Sequence, residues 1–242
     1  MKALIFAAGL GTRLKPLTDT MPKALVPLHG EPLLAHTLRR LIGSGATEAV
    51  VNVHHFGEQI IDYLARTDWG IPVGISDERD ALLETGGGLR KAAPLFHEPD
   101  APILIHNVDI LSNADLGALY AAAAPHDALL LVSDRPTQRY LLFDDDLRLR
   151  GWTNVATGEV RSPYPDLDPA SLHRLAFAGI HCFSPRLLPR MEDWPARFSI
   201  IDFYLKVCAE ADIRACVQPG LRLLDVGKVD SLRQAETFLQ QA

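Results

Sequence analysis

Residues 9–27 read Gly-Leu-Gly-Thr-Arg-Leu-Lys-Pro-Leu-Thr-Asp-Thr-Met-Pro-Lys-Ala-Leu-Val-Pro, directly after an apolar run at residues 3–8. These residue types point to one kind of ligand. Gly9 and Gly11 let backbone N–H groups come close to a bound group, Arg13 offers a planar fork of donors, and Lys23 supplies a compact charge. Two fixed cations on a glycine loop that follows a strand suit a polyphosphate. Two better-known glycine motifs fail. A dinucleotide fingerprint needs a third glycine where Leu14 stands, and a P-loop needs Gly-Lys-Ser/Thr. A second run, Leu83-Glu84-Thr85-Gly86-Gly87-Gly88, also permits close approach and suits recognition of a nucleobase edge by main-chain groups. The plain alternative for it is a flexible hinge before a helix.

The pattern G-x-G-T-R-x-x-P-L-T…P-K-x-x-x-P, with Arg13, Pro16, Thr18, Pro22, Lys23 and Pro27 in step, resembles the signature of the sugar-1-phosphate nucleotidyltransferases (the NTP_transferase family). These enzymes join a nucleoside triphosphate to a sugar 1-phosphate. The resemblance spans almost the whole chain, strongest over residues 1–110 and thinner from 140 to 200. It implies a catalytic role for Arg13, forked onto the leaving β- and γ-phosphates, and for Lys23, placed where the attacking and α-phosphates meet. No protein nucleophile is required, because the acceptor phosphate is already an anion and positioning with charge neutralisation carries the catalysis. The nucleotide contacts it implies are Ala8, Gly9, Gly11, Thr12 and Arg13, with Glu84, Thr85, Gly86 and Gly87.

Asp109, in Ile-His-Asn-Val-Asp-Ile, and Asp225, in Leu-Leu-Asp-Val-Gly-Lys, match the two aspartates that clamp the metal in this family. They imply Mg²⁺, a hard cation that takes one or two carboxylates and keeps several waters. Alone, either aspartate reads as a cap of a turn or helix. Many relatives have Asn-Gly-Asp where this chain has Asn107-Val108-Asp109, so a slightly different turn is expected here. Asn107, Asn154 and Gly179 are the implied substrate contacts. Gly179, in Phe177-Ala178-Gly179-Ile180-His181, would bring a sugar close to the backbone, or it marks a bulge in a core strand.

Leu-Glu-Thr-Gly-Gly-Gly, together with the short length, resembles the N-acetylmuramic acid 1-phosphate uridylyltransferases of cell-wall recycling, which implies UTP and N-acetylmuramic acid 1-phosphate. One rival keeps the chemistry and changes the pair: a mannose-1-phosphate guanylyltransferase-like protein using GTP with mannose or heptose 1-phosphate. Another is a catalytically silent sugar-nucleotide-binding regulatory protein, against which Arg13, Lys23, Asp109 and Asp225 speak together. A phosphocholine cytidylyltransferase shares the first loop, but no cage for a quaternary amine is legible by spacing.

These residues need a scaffold that aims them at one place. The first half of the chain alternates strand and helix: strands at 3–8, 49–53, 73–76, 103–106 and 129–133, with helices at 32–42, 59–65, 88–95 and 114–123. That pattern predicts an α/β fold with a mostly parallel sheet and helices on both faces, and binding at the carboxyl ends of the strands. With the resemblance it becomes a Rossmann-like three-layer α/β/α architecture. After Ser133 the pattern changes to a hairpin over 140–152, a loop at 158–169 and a strand at 177–183. A helix at 200–211, strands at 213–217 and 222–224, and a closing helix at 231–240 follow. No composition break separates the parts. The expectation is one domain, 1–242, with a nucleotide-binding half at 1–133 and a sugar-phosphate-binding half at 134–242.

Composition agrees. Of 242 residues, 48% are hydrophobic and 22% charged, enough for a sizeable core. A net charge of −6 argues against nucleic acid as a partner but leaves room for a small nucleotide held by local cations. No apolar run reaches membrane-spanning length, so no membrane partner is expected. Met1-Lys2 followed by a short strand does not read as a signal peptide, so none is expected. Cys182, Cys208 and Cys216 form no C-x-x-C pair, so reduced thiols in a cytoplasmic protein are expected, as a monomer or a homodimer. Asp144-Asp145-Asp146 reads as a solvated hairpin tip, and His54-His55 has no metal-ligand spacing.

Overall fold

The computed structural model describes residues 1–240. Its strands are β1 (Lys2–Phe6), β2 (Pro27–Leu28), β3 (Glu31–Pro32), β4 (Glu48–Val53), β5 (Val73–Asp77), β6 (Ile103–Asn107) and β7 (Ile110–Ser112), then β8 (Ala128–Ser133), β9 (Arg139–Phe143), β10 (Leu149–Asn154), β11 (Glu159–Arg161), β12 (His173–Phe183), β13 (Ile213–Val217) and β14 (Leu223–Asp225). The α-helices are α1 (Leu33–Gly43), α2 (Gly57–Ala65), α3 (Glu84–Ala92), α4 (Leu116–Ala122), α5 (Ile200–Val207) and α6 (Val229–Gln240).

Ten of these strands form one mixed sheet with the path β11-β10-β9-β12-β6-β1-β4-β5, to which β8 and β13 attach beside β12. The run β6-β1-β4-β5 is parallel throughout. Beyond β6 the pairing turns antiparallel, except for β8 with β13. β12 joins the two regions. Residues 180–183 pair with β6, and residues 173–175 pair with β9. Between them the register against β8 slips, and Gly179 takes a left-handed φ of 74° that a side chain would strain.

Parallel sheets bury both faces, and β1 shows why its sequence has no polar alternation. Leu4 and Phe6 face a core with Leu89 of α3 and Phe203 and Tyr204 of α5. Ala3 and Ile5 face the opposite core, with Leu34, Leu38 and Leu41 of α1 and Ile60 of α2. A third, smaller cluster joins Leu14, Val26, Leu28, Leu33, Leu111, Val226 and Ala235. It ties the glycine loop to β7, to the segment after β14 and to α6.

The structure departs from the sequence expectation at several elements. The helix expected at 88–95 starts four residues earlier and contains all three glycines. Glycine disfavours helix by roughly 1 kcal/mol per residue, but here tertiary contact leaves no room for a side chain. A Cβ on Gly86 would lie 2.3 Å from the Phe198 ring, and one on Gly87 2.2 Å from the Ala196 carbonyl. The loop expected at 158–169 contains β11, which pairs with β10. β7 has no counterpart in the sequence reading; it exists through its pairing with β14. At the hairpin tip Asp144 is half-buried rather than solvated, accepting from the Arg148 backbone at 2.8 Å and from Arg150 Nε at 2.7 Å.

Candidate active site

A cleft of about 360 Å³ opens where β1, β4 and β6 end. Its lining includes Ala8 and Gly9 after β1, Lys23, Asn52 at the end of β4, Asn107 and Asp109 after β6, and Glu84 and Thr85 at the start of α3. This is the carboxyl edge at which open α/β sheets bind ligands.

The glycine loop is held from below and from behind. Asn52, 2% exposed, accepts from the Ala7 and Ala8 amides at 2.6 and 3.2 Å and donates to Glu78 Oε1 at 2.8 Å. Glu78 also accepts from the Leu83 amide at 3.1 Å. Burial pushes the Glu78 carboxyl above its ordinary pKa, against the pull of those two hydrogen bonds. Gly88 leaves the space for this pair, since a Cβ there would lie 2.8 Å from Glu78 Oε1. Gly11 has φ 65°, and a Cβ on it would meet Thr18 and Lys23 at 2.9 and 3.0 Å. The Thr18 hydroxyl donates back to the Gly11 carbonyl at 2.8 Å, which closes the loop on itself. Gly9, Thr12 and Arg13 are left exposed on the loop.

Both catalytic expectations lie beside the aspartates expected to take metal. Lys23, 9% exposed, pairs with Asp109 Oδ2 at the floor of the cleft. Arg13 Nη2 is 3.9 Å from Asp225 Oδ2, and both side chains are about half exposed. The two pairs are neighbours because β14 lies antiparallel to β7. Asp225 stands opposite Ile110, and the Val226 amide donates to the Asp109 carbonyl at 2.8 Å. Gly227 keeps the outer pair compact, since a Cβ there would come within 2.5 Å of Asp225 Oδ1 and 2.6 Å of Arg13 Nη2. Val108 sits in the turn with a negative φ, is 5% exposed, and bonds through its amide to the Phe6 carbonyl at 3.1 Å. Among the described residues no group of three or more His, Cys, Asp or Glu side chains is arranged to hold a metal ion alone. Two carboxylates on paired backbone segments still suit a hard cation that completes its shell with phosphate oxygens and water.

The second glycine run is placed differently from the loop. Glu84 and Thr85 reach the cleft, but the Glu84 carboxylate pairs with Arg197 and the Thr85 hydroxyl accepts from the Ile200 amide at 2.9 Å. The Gly86 and Gly87 amides both donate to the Phe198 carbonyl, at 2.9 and 3.3 Å. Their close approach is therefore to residues 196–198, and the hinge reading does not suit buried positions of a helix.

Gly179 lies against Asn107: a Cβ on it would be 2.8 Å from Asn107 Nδ2. Asn154 lines a second cleft, of about 550 Å³, on the antiparallel wing. Ser199, the N-cap of α5, borders both clefts, so the two adjoin there. Asn52, Glu78 and Ser199 are site residues that sequence reasoning missed. A polar Asn52 near the end of an apolar strand and a Ser199 directly before the helix expected at 200–211 were the legible signals; Glu78 lies in a segment without pattern.

A family profile described as nucleotidyl transferase matches residues 2–242. The chain belongs to that family. It is 34% identical over 251 aligned positions to the N-acetylmuramate alpha-1-phosphate uridylyltransferase of Caulobacter vibrioides, covering 99% of this chain and 97% of that one. It is 27% identical to a probable mannose-1-phosphate guanylyltransferase of Oryza sativa, of which the alignment covers 62%. Among solved structures, a putative glucose-1-phosphate thymidylyltransferase from Bacillus anthracis superposes with a TM-score of 0.80 at 15% identity, covering all of this chain and 96% of that one. Such a likeness fixes the fold: a nucleotidyltransferase sheet with an antiparallel wing. The protein is a transferase, and among its described residues no helix is long and apolar enough to cross a membrane.

Proposed function

We propose that this protein transfers the uridylyl group of UTP to N-acetylmuramic acid 1-phosphate, releasing pyrophosphate, in cytoplasmic cell-wall recycling. The observation that carries the reaction is the pairing of Lys23 with Asp109 in the first cleft and of Arg13 with Asp225 on the strand that pairs beside it. The substrate pair is supported by the uridylyltransferase relative, matched over 97% of its length.

In this reading the first cleft takes the nucleotide, bounded mainly by residues 1–133 with Ser199, and the second takes the sugar, bounded by residues 134–242. The acceptor phosphate oxygen attacks the α-phosphorus in line, and the bond to the pyrophosphate oxygen breaks. Lys23 faces the point where the two phosphates meet and offsets charge that grows there. Arg13 holds the leaving phosphates through its fork. Asp109 and Asp225 would hold Mg²⁺, which supplies charge neutralisation on the triphosphate when bound. Both aspartates carry a cation in the present arrangement, so substrate binding exchanges Lys23 and Arg13 from carboxylate to phosphate. Asn107, held against Gly179, and the exposed loop at Gly9–Thr12 orient the ends of the two substrates.

The test is pyrophosphate release with Mg²⁺ over a grid of UTP, GTP, CTP, dTTP and ATP against N-acetylmuramic acid, mannose, glucose and N-acetylglucosamine 1-phosphates. Turnover confined to UTP with N-acetylmuramic acid 1-phosphate is expected. GTP with mannose 1-phosphate as the productive pair would replace this reading with the guanylyltransferase one.

A further inference from the structure

The second cleft has an unusual charge pattern for a chain of net charge −6. Three guanidinium groups line it, from Arg135, Arg139 and Arg161, against two carboxylates, Glu159 and Asp202. Arg161 uses both carboxylates: it lies 2.6 Å from Asp202 and 3.7 Å from Glu159, and it stacks 4.0 Å over the Trp152 ring. Arg135 and Arg139 are left over. Arg135 donates to the Phe177 carbonyl at 3.2 Å, and Arg139 is fixed by its backbone, opposite Asn154 in the β9–β10 ladder. Among the described residues neither has a carboxylate partner.

Two guanidinium groups without a carboxylate partner in one concavity hold a positive potential there. A neutral sugar gives no return on that arrangement, because hydroxyl groups are recognised by side chains that both accept and donate, and arginine only donates. The reacting phosphate does not answer it either. That phosphate must meet the α-phosphate beside Lys23, and Lys23 and Asp109 line the first cleft but not the second. The unmatched charge therefore faces the end of the acceptor remote from its phosphate. We propose that Arg135 and Arg139 read a carboxylate carried on the acceptor sugar, and so set the specificity of the second cleft. The proposal rests on the second cleft taking the acceptor, as in the reading above. Arginine suits the role because its fork matches a carboxylate in both charge and geometry.

The test compares kcat/KM for three acceptors with the nucleoside triphosphate that the wild type uses: N-acetylmuramic acid 1-phosphate, the same compound with its lactyl carboxylate converted to the neutral carboxamide, and N-acetylglucosamine 1-phosphate, which lacks the lactyl group. A hydrogen bond to a charged group is worth enough for a preference of roughly 10- to 100-fold. The wild type is expected to favour the carboxylate over the carboxamide by that factor. Arg139→Gln and Arg135→Gln should each reduce the preference about tenfold, through KM for the acid rather than kcat, and Arg139→Lys should restore part of it. Melting curves establish that the variants are folded, and the acid–amide comparison on the wild type needs no variant. Equal use of acid and carboxamide by the wild type, or an unchanged preference in both Gln variants, overturns the arginine assignment while the acceptor reading stands. Turnover of neutral sugar 1-phosphates alone overturns both.

Discussion

Replacing Asn52 by alanine isolates what holds the glycine loop in place. Asn52 lies in β4 between Phe6 of β1 and Ser76 of β5, 2% exposed, and its amide is the link between the loop and Glu78. Asn52→Ala strands three polar groups. The Ala7 amide loses a 2.6 Å acceptor, the Ala8 amide a 3.2 Å acceptor, and Glu78 Oε1 a 2.8 Å donor. Leaving a buried polar group unpaired costs about 1–3 kcal/mol. The long Ala8 contact sits at the low end of that range, and water entering from the cleft offsets part of the rest. A loss of about 3 kcal/mol results, which for a chain of this size lowers the melting temperature by about 6–12 °C. Activity should fall further than stability. Gly9 follows directly on the released amides and Arg13 lies further along the same loop, and a displacement of about 1 Å in a positioning element costs on the order of 10²-fold in rate. The assay is a thermal melt beside pyrophosphate release under saturating Mg²⁺. Asn52→Asp supplies the control. It keeps an acceptor for both amides but sets a second carboxylate against Glu78, whose pKa burial already raises. An acid with a raised folded-state pKa gives stability that is present below its unfolded value and lost as pH rises through the folded one. Asn52→Asp should therefore approach wild-type stability in mild acid and fall away toward neutral pH. An Asn52→Ala protein with melting temperature and kcat/KM within error of wild type would refute the reasoning.

Other expectations follow from the same geometry. Lys23→Ala should lower kcat about 10²- to 10³-fold with a smaller change in nucleotide affinity measured by calorimetry, and normal turnover would remove Lys23 from the reacting phosphates. Gly227→Ala places a methyl group 2.5 Å from Asp225 Oδ1 and 2.6 Å from Arg13 Nη2, both ends of mobile side chains; turnover should drop at least about tenfold while the melting temperature moves by less than about 2 °C. Gly87→Ala drives a Cβ to 2.2 Å from the Ala196 carbonyl, so chemical denaturation should show a loss of about 3 kcal/mol, where a flexible hinge would show none. His181 and His106 are 1% exposed, and burial lowers their pKa values to about 3 and about 4 from an ordinary 6.5. Their neutral forms give stability that is full above pH 6.5 and is lost as pH falls toward those folded values, on the order of 5 kcal/mol for His181. His181→Leu should make the slope of stability against pH between 6.5 and 4 shallower by about one proton.

The parts of this protein governed by local chemistry were legible in the chain itself. Alternating strand and helix patterns required a parallel sheet, because β1, β4 and β6 are apolar on both faces. The glycine loop with Arg13 and Lys23 pointed to a phosphate ligand, since close backbone approach and fixed cations have few other uses, and the fold puts Gly9 and Lys23 in the cleft at the carboxyl edge of the sheet. Placing that loop after a strand also fixed the edge of the sheet on which the site lies. What depended on residues far apart in the sequence was decided only by tertiary structure. Asp109 and Asp225 become neighbours through β7 and β14: a short strand was legible at 222–224, but β7 carries no pattern and exists only through its pairing with β14. Gly86 and Gly87 look like a ligand loop in one dimension, but Phe198 and Ala196, over a hundred residues away, occupy the space that the missing side chains leave. Asn52 and Glu78 meet because β4 and the segment after β5 lie side by side, and the leftover charge of Arg135 and Arg139 emerges only once Arg161 is seen to take both carboxylates of its cleft. Sequence patterns report periodicity and local conformation. Pairing, exclusion and the balance of charge within a cleft are properties of the folded chain.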